Sequence, residues 1–149
     1  MLNIKQLDTI IDMLTNKKNK ISNDIAKLNK EIRYKKDLIN KINQYQLECN
    51  NLNTIKNTHV FPMFIANRSM FSNRIFQLVE NEKKEITHLN NFLQQTISAY
   101  KDVDNHLSVF NKFKENIRNI KDLNEMRREM IKMEDNINFV RAQEEYDRL

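Results

Sequence analysis

The side chains that could carry out catalysis or hold a metal ion are few in this chain, and no pattern brings them together. They are His59, His88, His106, Cys49 and the neighbouring acidic pairs Glu134, Asp135 and Glu144, Glu145. A zinc site needs His, Cys or acidic ligands at short spacings, but neither an HExxH nor a CxxC pattern is present. A cysteine nucleophile needs a base beside it, and no base is visible near Cys49 in the sequence. The acidic residues of each pair are adjacent, so they point to different sides of a helix and are poor candidates for a catalytic pair of carboxylates. The sequence therefore predicts no catalytic residue, no metal site and no cofactor site.

The composition indicates which folds could position such groups. The 149 residues contain no glycine, no tryptophan and one proline. A dinucleotide-binding fingerprint and a phosphate-binding P-loop both need glycine, and so do most tight hairpin turns between strands. We therefore expect an all-α protein made of long helices. A thin pair of helices offers no concave pocket of the kind that catalysis needs, so we expect a protein that is not an enzyme.

The net charge of +5 is concentrated in the first part of the chain. Residues 1–41 carry ten Lys or Arg and five Asp or Glu, whereas the two signs balance in the remainder. Clustered arginines with interleaved aromatic residues, which are typical of nucleic-acid surfaces, are absent there, so we expect no nucleic-acid partner. A coiled coil that binds nucleic acid or an anionic membrane through residues 1–41 remains an alternative, and its binding would weaken steeply with salt.

Three further features of the sequence indicate the cellular compartment of the protein. No stretch approaches 18 consecutive apolar residues, so no transmembrane helix is expected. The N-terminus lacks the charged and then apolar blocks of a signal peptide. A single cysteine, Cys49, suits a reducing compartment and allows no internal disulfide bond. These features predict a cytoplasmic protein.

A heptad repeat dominates the first third of the chain and predicts a helix over about 4–50. The a positions are Ile4, Ile11, Lys18, Ile25, Ile32, Ile39 and Gln46, and the d positions are Leu7, Leu14, Ile21, Leu28, Lys35, Ile42 and Cys49. Eleven of these fourteen residues are apolar, which is typical of a coiled-coil seam. Asn3, followed three residues later by Gln6, resembles a capping box and predicts where the helix starts.

A connection and a second, longer helix follow. Asparagines at 50, 51, 53 and 57 favour a turn, and Pro62 fits the first turn of a helix, so we expect a connection over about 51–62 and a helix over about 63–146. The apolar positions of this helix fall into two groups. They are first Ile86, Leu89, Leu93, Tyr100, Val103, Leu107 and Phe110, and later Leu123, Met126, Met130, Met133, Ile137 and Val140.

The two helices predict one domain over residues 1–149, an antiparallel coiled-coil hairpin whose second helix is longer than the first. Counted outward from the turn, the first helix ends opposite about residue 110, so roughly the last 35 residues lack a partner within the chain. Their methionine-rich apolar stripe then needs another protein to cover it. The alternative is that the helices are offset or bent, so that the chain covers the stripe itself.

Several short segments resemble the flagellar FliJ family, in the same order along the chain. Residues 42–49, INQYQLEC, resemble the family's YQxEY element near the end of its first helix, and residues 67–71, NRSMF, resemble the start of its helical aromatic patch. Residues 127–135, RREMIKMED, resemble its C-terminal element of basic and acidic residues around a methionine and two acidic residues. Four residues between 100 and 113 match positions where enterobacterial members of the family carry Trp, Leu, Trp and Leu. They are Tyr100, Leu107, Phe110 and Phe113.

The resemblance implies a role in the flagellar type III protein export apparatus. It implies a non-enzymatic stalk whose end with both termini enters the hexameric export ATPase, FliI, and which also contacts the export gate protein FlhA and export chaperones. It further implies a cytoplasmic protein bound peripherally at the inner face of the cell membrane, at the flagellar base. The equivalent stalk of a non-flagellar type III secretion system, or a generic coiled-coil interaction protein with a basic first helix, is the alternative.

Two contact surfaces follow from the matched positions and from the charges near the termini. The predicted export-gate contact consists of Leu38, Ile42, Tyr45, Cys49, Phe71, Ile75, Leu78 and Glu82. The predicted ATPase-ring contact consists of Lys17, Lys18, Lys20, Arg127, Arg128, Met130, Lys132 and Met133. Tyr45 lies outside the a and d positions, so its hydroxyl is available and it is the strongest interface candidate of the first surface.

Overall fold

Two α-helices make up the computed structural model, which describes residues 3–55 and 62–149. Helix α1 runs from Ile4 to Ile55 and α2 from Pro62 to Asp147. They contain 52 and 86 residues, and the described residues form no strand. The helices pack against each other. The predicted fold class, an all-α antiparallel pair with a longer second helix, is confirmed.

Helix α1 begins at the capping box that the sequence predicts. The backbone N–H of Gln6 donates to the side-chain oxygen of Asn3 at 2.8 Å, and the backbone N–H of Asn3 donates to Gln6 Oε1 at 3.0 Å. Two of the backbone donors that a helix start leaves without partners are thereby satisfied. The predicted first residue of the helix, Ile4, is correct.

The end of α1 differs from the prediction. The helix continues to Ile55, so the expected turn over about 51–62 is wrong for residues 51–55. Asparagine disfavours a helix by only about 0.7 kcal/mol per residue, and a helix that already has many turns extends at little cost. Residues 56–61, the remainder of the predicted turn, lie outside the described residues. Helix α2 begins at Pro62 and ends at Asp147, one residue beyond the prediction at each end.

The chain divides into two compact units. The first consists of Met1–Asn16 with Val103–Leu149, and the second of Lys17–Asp102. In the second unit α1 and α2 share a core of six buried side chains. They are Leu28, Ile32, Ile39, Val79, Ile86 and Leu93. In the first unit Leu7, Val103 and Leu107 are buried. The prediction of a single domain stays a prediction.

The helices are antiparallel in the second unit, as three contacts between them indicate. In the second unit Asn50 contacts Arg68, Lys35 contacts Glu82, and Lys18 lies over Tyr100, so residue numbers fall along α2 as they rise along α1. In the first unit Asp8 forms an ion pair with Lys114. The predicted seam is confirmed, because all fourteen a and d residues of α1 are buried or half-buried.

Packing against α1 stops near residue 117 of α2. Ile117 is half-buried, and every residue from 118 to 149 is exposed. The C-terminal part of α2 therefore has no partner within the chain, as predicted, although the unpartnered part begins at residue 118 and not at about residue 111, as the helix lengths alone indicate. The alternative, in which the chain covers its own methionine stripe, is wrong.

Candidate interaction surfaces

An open cleft lies between the two helices of the second unit, near the ends that face the connection. Its volume is about 410 Å³. Helix α1 contributes Tyr45, Gln46, Cys49 and Asn50, and α2 contributes Asn67, Arg68, Phe71, Ser72 and Ile75. The contributions of each helix recur at three- and four-residue spacing, which places them on one face. The cleft is therefore formed by the continuation of the seam.

The chemistry of the cleft suits an apolar side chain of a partner protein. Tyr45 is 60% exposed and Phe71 is 56% exposed, so two aromatic rings offer contact area to a partner. Arg68 Nη2 donates to Asn50 Oδ1 at 3.1 Å, which provides polar groups beside the apolar ones. Aromatic residues and arginine are the side chains most enriched at the energetically important centres of protein interfaces. The thiol of Cys49 is free and half-buried at the same place.

The cleft contains half of the predicted export-gate contact. Tyr45, Cys49, Phe71 and Ile75 line it together. The other four members do not line it. Leu38 is half-buried, Ile42 packs against the core, Leu78 is 50% exposed, and Glu82 binds Lys35.

Five cleft residues were not among the predicted contacts. They are Gln46, Asn50, Asn67, Arg68 and Ser72. The spacing of Arg68, Phe71 and Ile75 on one helical face is the sequence signal that could have identified the arginine.

Glu82 belongs to a small ionic cluster that interrupts the apolar seam. The ammonium of Lys35, at a d position, donates to Glu82 Oε2 at 2.9 Å and to Glu85 Oε2 at 2.5 Å. The hydrogen bonds to Glu85 and Glu82 raise the pKa of Lys35 above its usual value. The cluster therefore occupies Glu82 within the chain, and the carboxylate is engaged before any partner binds.

Lys18 is the other lysine at a seam position, and it too meets a partner on α2. Its ammonium lies 5.4 Å from the centre of the Tyr100 ring, a cation–π distance. Lys18 is half-buried, whereas its neighbours Lys17 and Lys20 are exposed. Of the three predicted basic contacts on α1, the two exposed lysines present their ammonium groups to solvent, and Lys18 packs on the second helix.

The remaining predicted ATPase-ring residues lie in the first unit. Arg127, Arg128, Met130, Lys132 and Met133 are all exposed. The two methionines belong to a continuous row that we call the C-terminal stripe. It consists of Ile120, Leu123, Met126, Met130, Met133, Ile137 and Val140. These side chains are 52% to 67% exposed, and spacings of three and four residues place them on one face.

The part of the chain that the structure describes lacks two other classes of site. No group of three or more His, Cys, Asp or Glu side chains there could hold a metal ion, and neither described helix has a stretch apolar and long enough to cross a membrane. Among the described residues, the cleft and the C-terminal stripe are the candidate interaction surfaces that contain predicted contact residues. No protein-family model, curated protein or solved structure matches this chain.

Proposed function

We propose that this protein is a non-enzymatic stalk of the flagellar type III protein export machinery. The observation that carries the proposal is the unequal length of the helices, which leaves the C-terminal stripe of α2 exposed beyond the start of α1. An exposed apolar row of this length marks a protein interaction site. A ring-shaped ATPase with a central hole suits it, because a single projecting helix fits a narrow lumen.

The order of the family-like segments supports the same proposal. Residues 42–49 and 67–71, which resemble two elements of the FliJ family, contribute Tyr45, Cys49 and Phe71 to one cleft. Residues 127–135, which resemble the third, overlap the C-terminal stripe. In this proposal the cleft contacts the FlhA-like export gate and the stripe contacts the FliI-like ATPase. Export chaperones bind the same stalk, which acts in the cytoplasm at the inner face of the membrane.

Binding to the ATPase tests the first half of the proposal. The purified protein is immobilised, and retention of the FliI-like ATPase from the same genome is measured. Met133→Glu should abolish retention, because it places a charge in the stripe. The matched control is Met13→Glu on α1, since Met13 and Met133 are each 67% exposed. Retention of the ATPase by Met133→Glu at the wild-type level would contradict the assigned surface.

Binding to the gate tests the second half. Tyr45→Ala should weaken binding of the FlhA-like cytoplasmic domain at least tenfold, since aromatic anchors at interface centres contribute about 2 kcal/mol or more. Tyr34→Ala is the matched control, because Tyr34 is 68% exposed on the same helix and lies outside the cleft. Equal losses in the two variants would count against the cleft as the gate contact.

The same measurements separate the rival functions. Well-folded protein that binds neither the ATPase nor the gate would overturn the proposal. Retention of injectisome homologues of these partners, but not of the flagellar ones, would assign the stalk to a non-flagellar secretion system. Binding to nucleic acid or anionic vesicles that falls steeply with salt would favour the basic first helix as the functional surface.

A further inference from the structure

The C-terminal stripe lies on the part of α2 that extends beyond α1. In the first unit the Asp8–Lys114 ion pair sets the antiparallel alignment. Counted from that pair, Ile4, the first residue of α1, falls opposite Arg118. The overhang therefore covers residues 118–147, to the end of α2, and all of its residues are exposed. The α1-facing residues of α2 recur at three- and four-residue spacing up to Ile117, and the stripe beyond them follows a register that is displaced by two residues, so it lies on a different face of α2.

We propose that a second copy of this chain covers the overhang whenever the ATPase of the proposed function does not occupy it, with the two C-terminal stripes packed antiparallel. One alignment pairs every central stripe residue with an apolar residue of the other copy. In it Leu123 faces Val140, Met126 faces Ile137 and Met130 faces Met133, each pair occurring twice by symmetry. These residues alternate between a and d positions of a heptad pattern, and facing a and d side chains form the layers of an antiparallel coiled coil.

Charges beside the stripe favour the antiparallel orientation. In the proposed alignment Arg127 of one copy lies beside Glu134 of the other, again twice, while Glu129 lies beside the neutral Asn136. A parallel dimer in register would instead place Glu129 beside Glu134 and Asp122 beside Arg127 on both sides, so one repulsive contact offsets each attractive one. Opposite charges at the flanking positions set partner orientation, and like charges oppose it. The antiparallel orientation thus has attractive flanking contacts without a like-charge pair at these positions, whereas the parallel one carries a repulsive contact for each attractive one.

The length of the overhang matches this alignment. The twofold axis of the apolar layers lies between Ile131 and Lys132, and the midpoint of residues 118–147 lies one residue away. A second copy in this register therefore fills the overhang from the start of α1 to the end of α2. In this register Asp147, the last residue of the helix of the second copy, falls opposite Asn116, within two residues of Arg118, where α1 begins.

The apolar area is close to what a stable dimer needs. A half-exposed Leu, Ile or Met side chain still has about 100 Å² of apolar area to lose on burial. The seven residues of the stripe therefore provide roughly 700 Å² per chain, against about 800 Å² per partner in an interface of standard size. This area predicts a reversible dimer whose population depends on protein concentration.

Sedimentation velocity of the isolated full-length chain tests the dimer without any export component, so its outcome is independent of the proposed function. The sedimentation coefficient of the wild type should rise with concentration. Met130→Glu should abolish the rise, because Met130 faces Met133 at the centre of the dimer. Ile131→Glu is the matched control. It changes the next residue, which is 57% exposed where Met130 is 60% exposed, but it lies off the stripe and should leave the rise unchanged.

A wild type that stays monomeric at every concentration would overturn the proposal, and so would a dimer that survives Met130→Glu. Orientation is tested with a spin label at residue 142, on the outer face of the overhang, in a Cys49→Ala background that removes the only other thiol. In the antiparallel alignment the two labels lie about 30 Å apart along the helix axis. Labels at nearly the same height would show a parallel dimer and overturn the alignment.

Discussion

Single side chains at the seam determine how firmly the helices hold together, and Leu7 is the clearest case. It is fully buried, although it lies only four residues into the described chain. Leu7→Ala should lower the free energy of unfolding by about 2–5 kcal/mol, because the shorter side chain loses the transfer free energy of the removed methyl groups and leaves a cavity behind. Met13→Ala, at a position 67% exposed, should change it by less than about 0.5 kcal/mol.

Urea unfolding followed by circular dichroism measures both variants on the same scale. The two residues lie on the same helix and within the same unit, so the comparison isolates burial from helix propensity and from position along the chain. Equal losses for Leu7→Ala and Met13→Ala would mean that the first unit is held by something other than this seam.

Lys35 makes a different contribution, because it is a charged residue at a seam position. A polar group at one such position fixes the alignment of two helices, since only one register supplies its partners. Lys35→Glu brings three carboxylates together and should lower the melting temperature clearly. The combined change Lys35→Glu with Glu82→Lys and Glu85→Lys should recover most of that loss. Lys36→Glu, at the exposed neighbouring position, serves as the control and should have little effect.

The pH dependence of this cluster follows from the direction of the pKa shift. The hydrogen bonds to Glu85 and Glu82 raise the pKa of Lys35 above its usual value of 10.5, so the protonated ammonium is favoured in the folded state relative to the unfolded state. Its contribution is complete below pH 10.5 and is lost only as the pH rises through the still higher folded pKa. The coupling free energy between Lys35→Met and Glu82→Gln, from a double-mutant cycle, should therefore be equal at pH 7 and pH 9. A coupling that falls over this range would contradict the cluster.

At the scale of the helices, the start of α1 depends on a reciprocal pair of hydrogen bonds. Asn3→Ala removes the side-chain oxygen that accepts from the N–H of Gln6, and the loss of such a cap costs about 0.5–2 kcal/mol. The effect should be local, so amide exchange should accelerate in the first turn and remain unchanged near Ile32 and Ile39. Asn23→Ala, at an exposed position in the middle of the same helix, should accelerate neither region.

The bounds and the contacts of the helices were predictable from sequence where a single local pattern determined them. They were less predictable where a local preference competed with the rest of the helix. The heptad pattern located the seam and the Asn3–Gln6 spacing located the start of α1, because each depends on neighbours in the sequence. The asparagines after residue 49 gave the wrong end for α1, since a weak local preference yielded to an established helix. The partners of Lys35 could not be identified from α1 alone. Glu31 lies four residues before it, and yet the ammonium donates to Glu82 and Glu85 on α2.

The candidate surfaces also differ in how far the sequence predicts them. Helical spacing was enough to predict that the stripe lies on one face, and the difference in helix length was enough to predict that it is exposed. The cleft needed the alignment of α1 with α2, which brings Asn50 to Arg68. Asn50 carries no recognisable signal of its own, and the signal for Arg68 is limited to its spacing from Phe71 and Ile75. Four of the eight predicted gate residues therefore lie in the cleft, and the remainder serve the seam, the ionic cluster or the surface beside it.

For the molecule as a whole, the unequal helices give the chain a paired part and an unpaired part with different stabilities. Amides of α2 between Val79 and Leu107 lie in segments whose seam residues are buried, so they should exchange slowly. Amides between 118 and 147 belong to a helix with no partner in the chain, and an isolated helix of this composition is only marginally stable in water. At low protein concentration they should exchange far faster, which hydrogen exchange with mass spectrometry measures directly.

Hydrogen exchange at high protein concentration tests whether the proposed dimer protects the overhang. If a second copy covers the overhang, protection of residues 118–147 should rise with protein concentration, while protection of residues 79–107 stays constant, because only the overhang gains a partner. Met130→Glu should keep the overhang unprotected at every concentration, and Ile131→Glu should behave as the wild type does. Slow exchange along the whole of α2 at the lowest concentration would mean that the overhang is stable without a partner. The exposed stripe would then no longer be an argument for a binding partner.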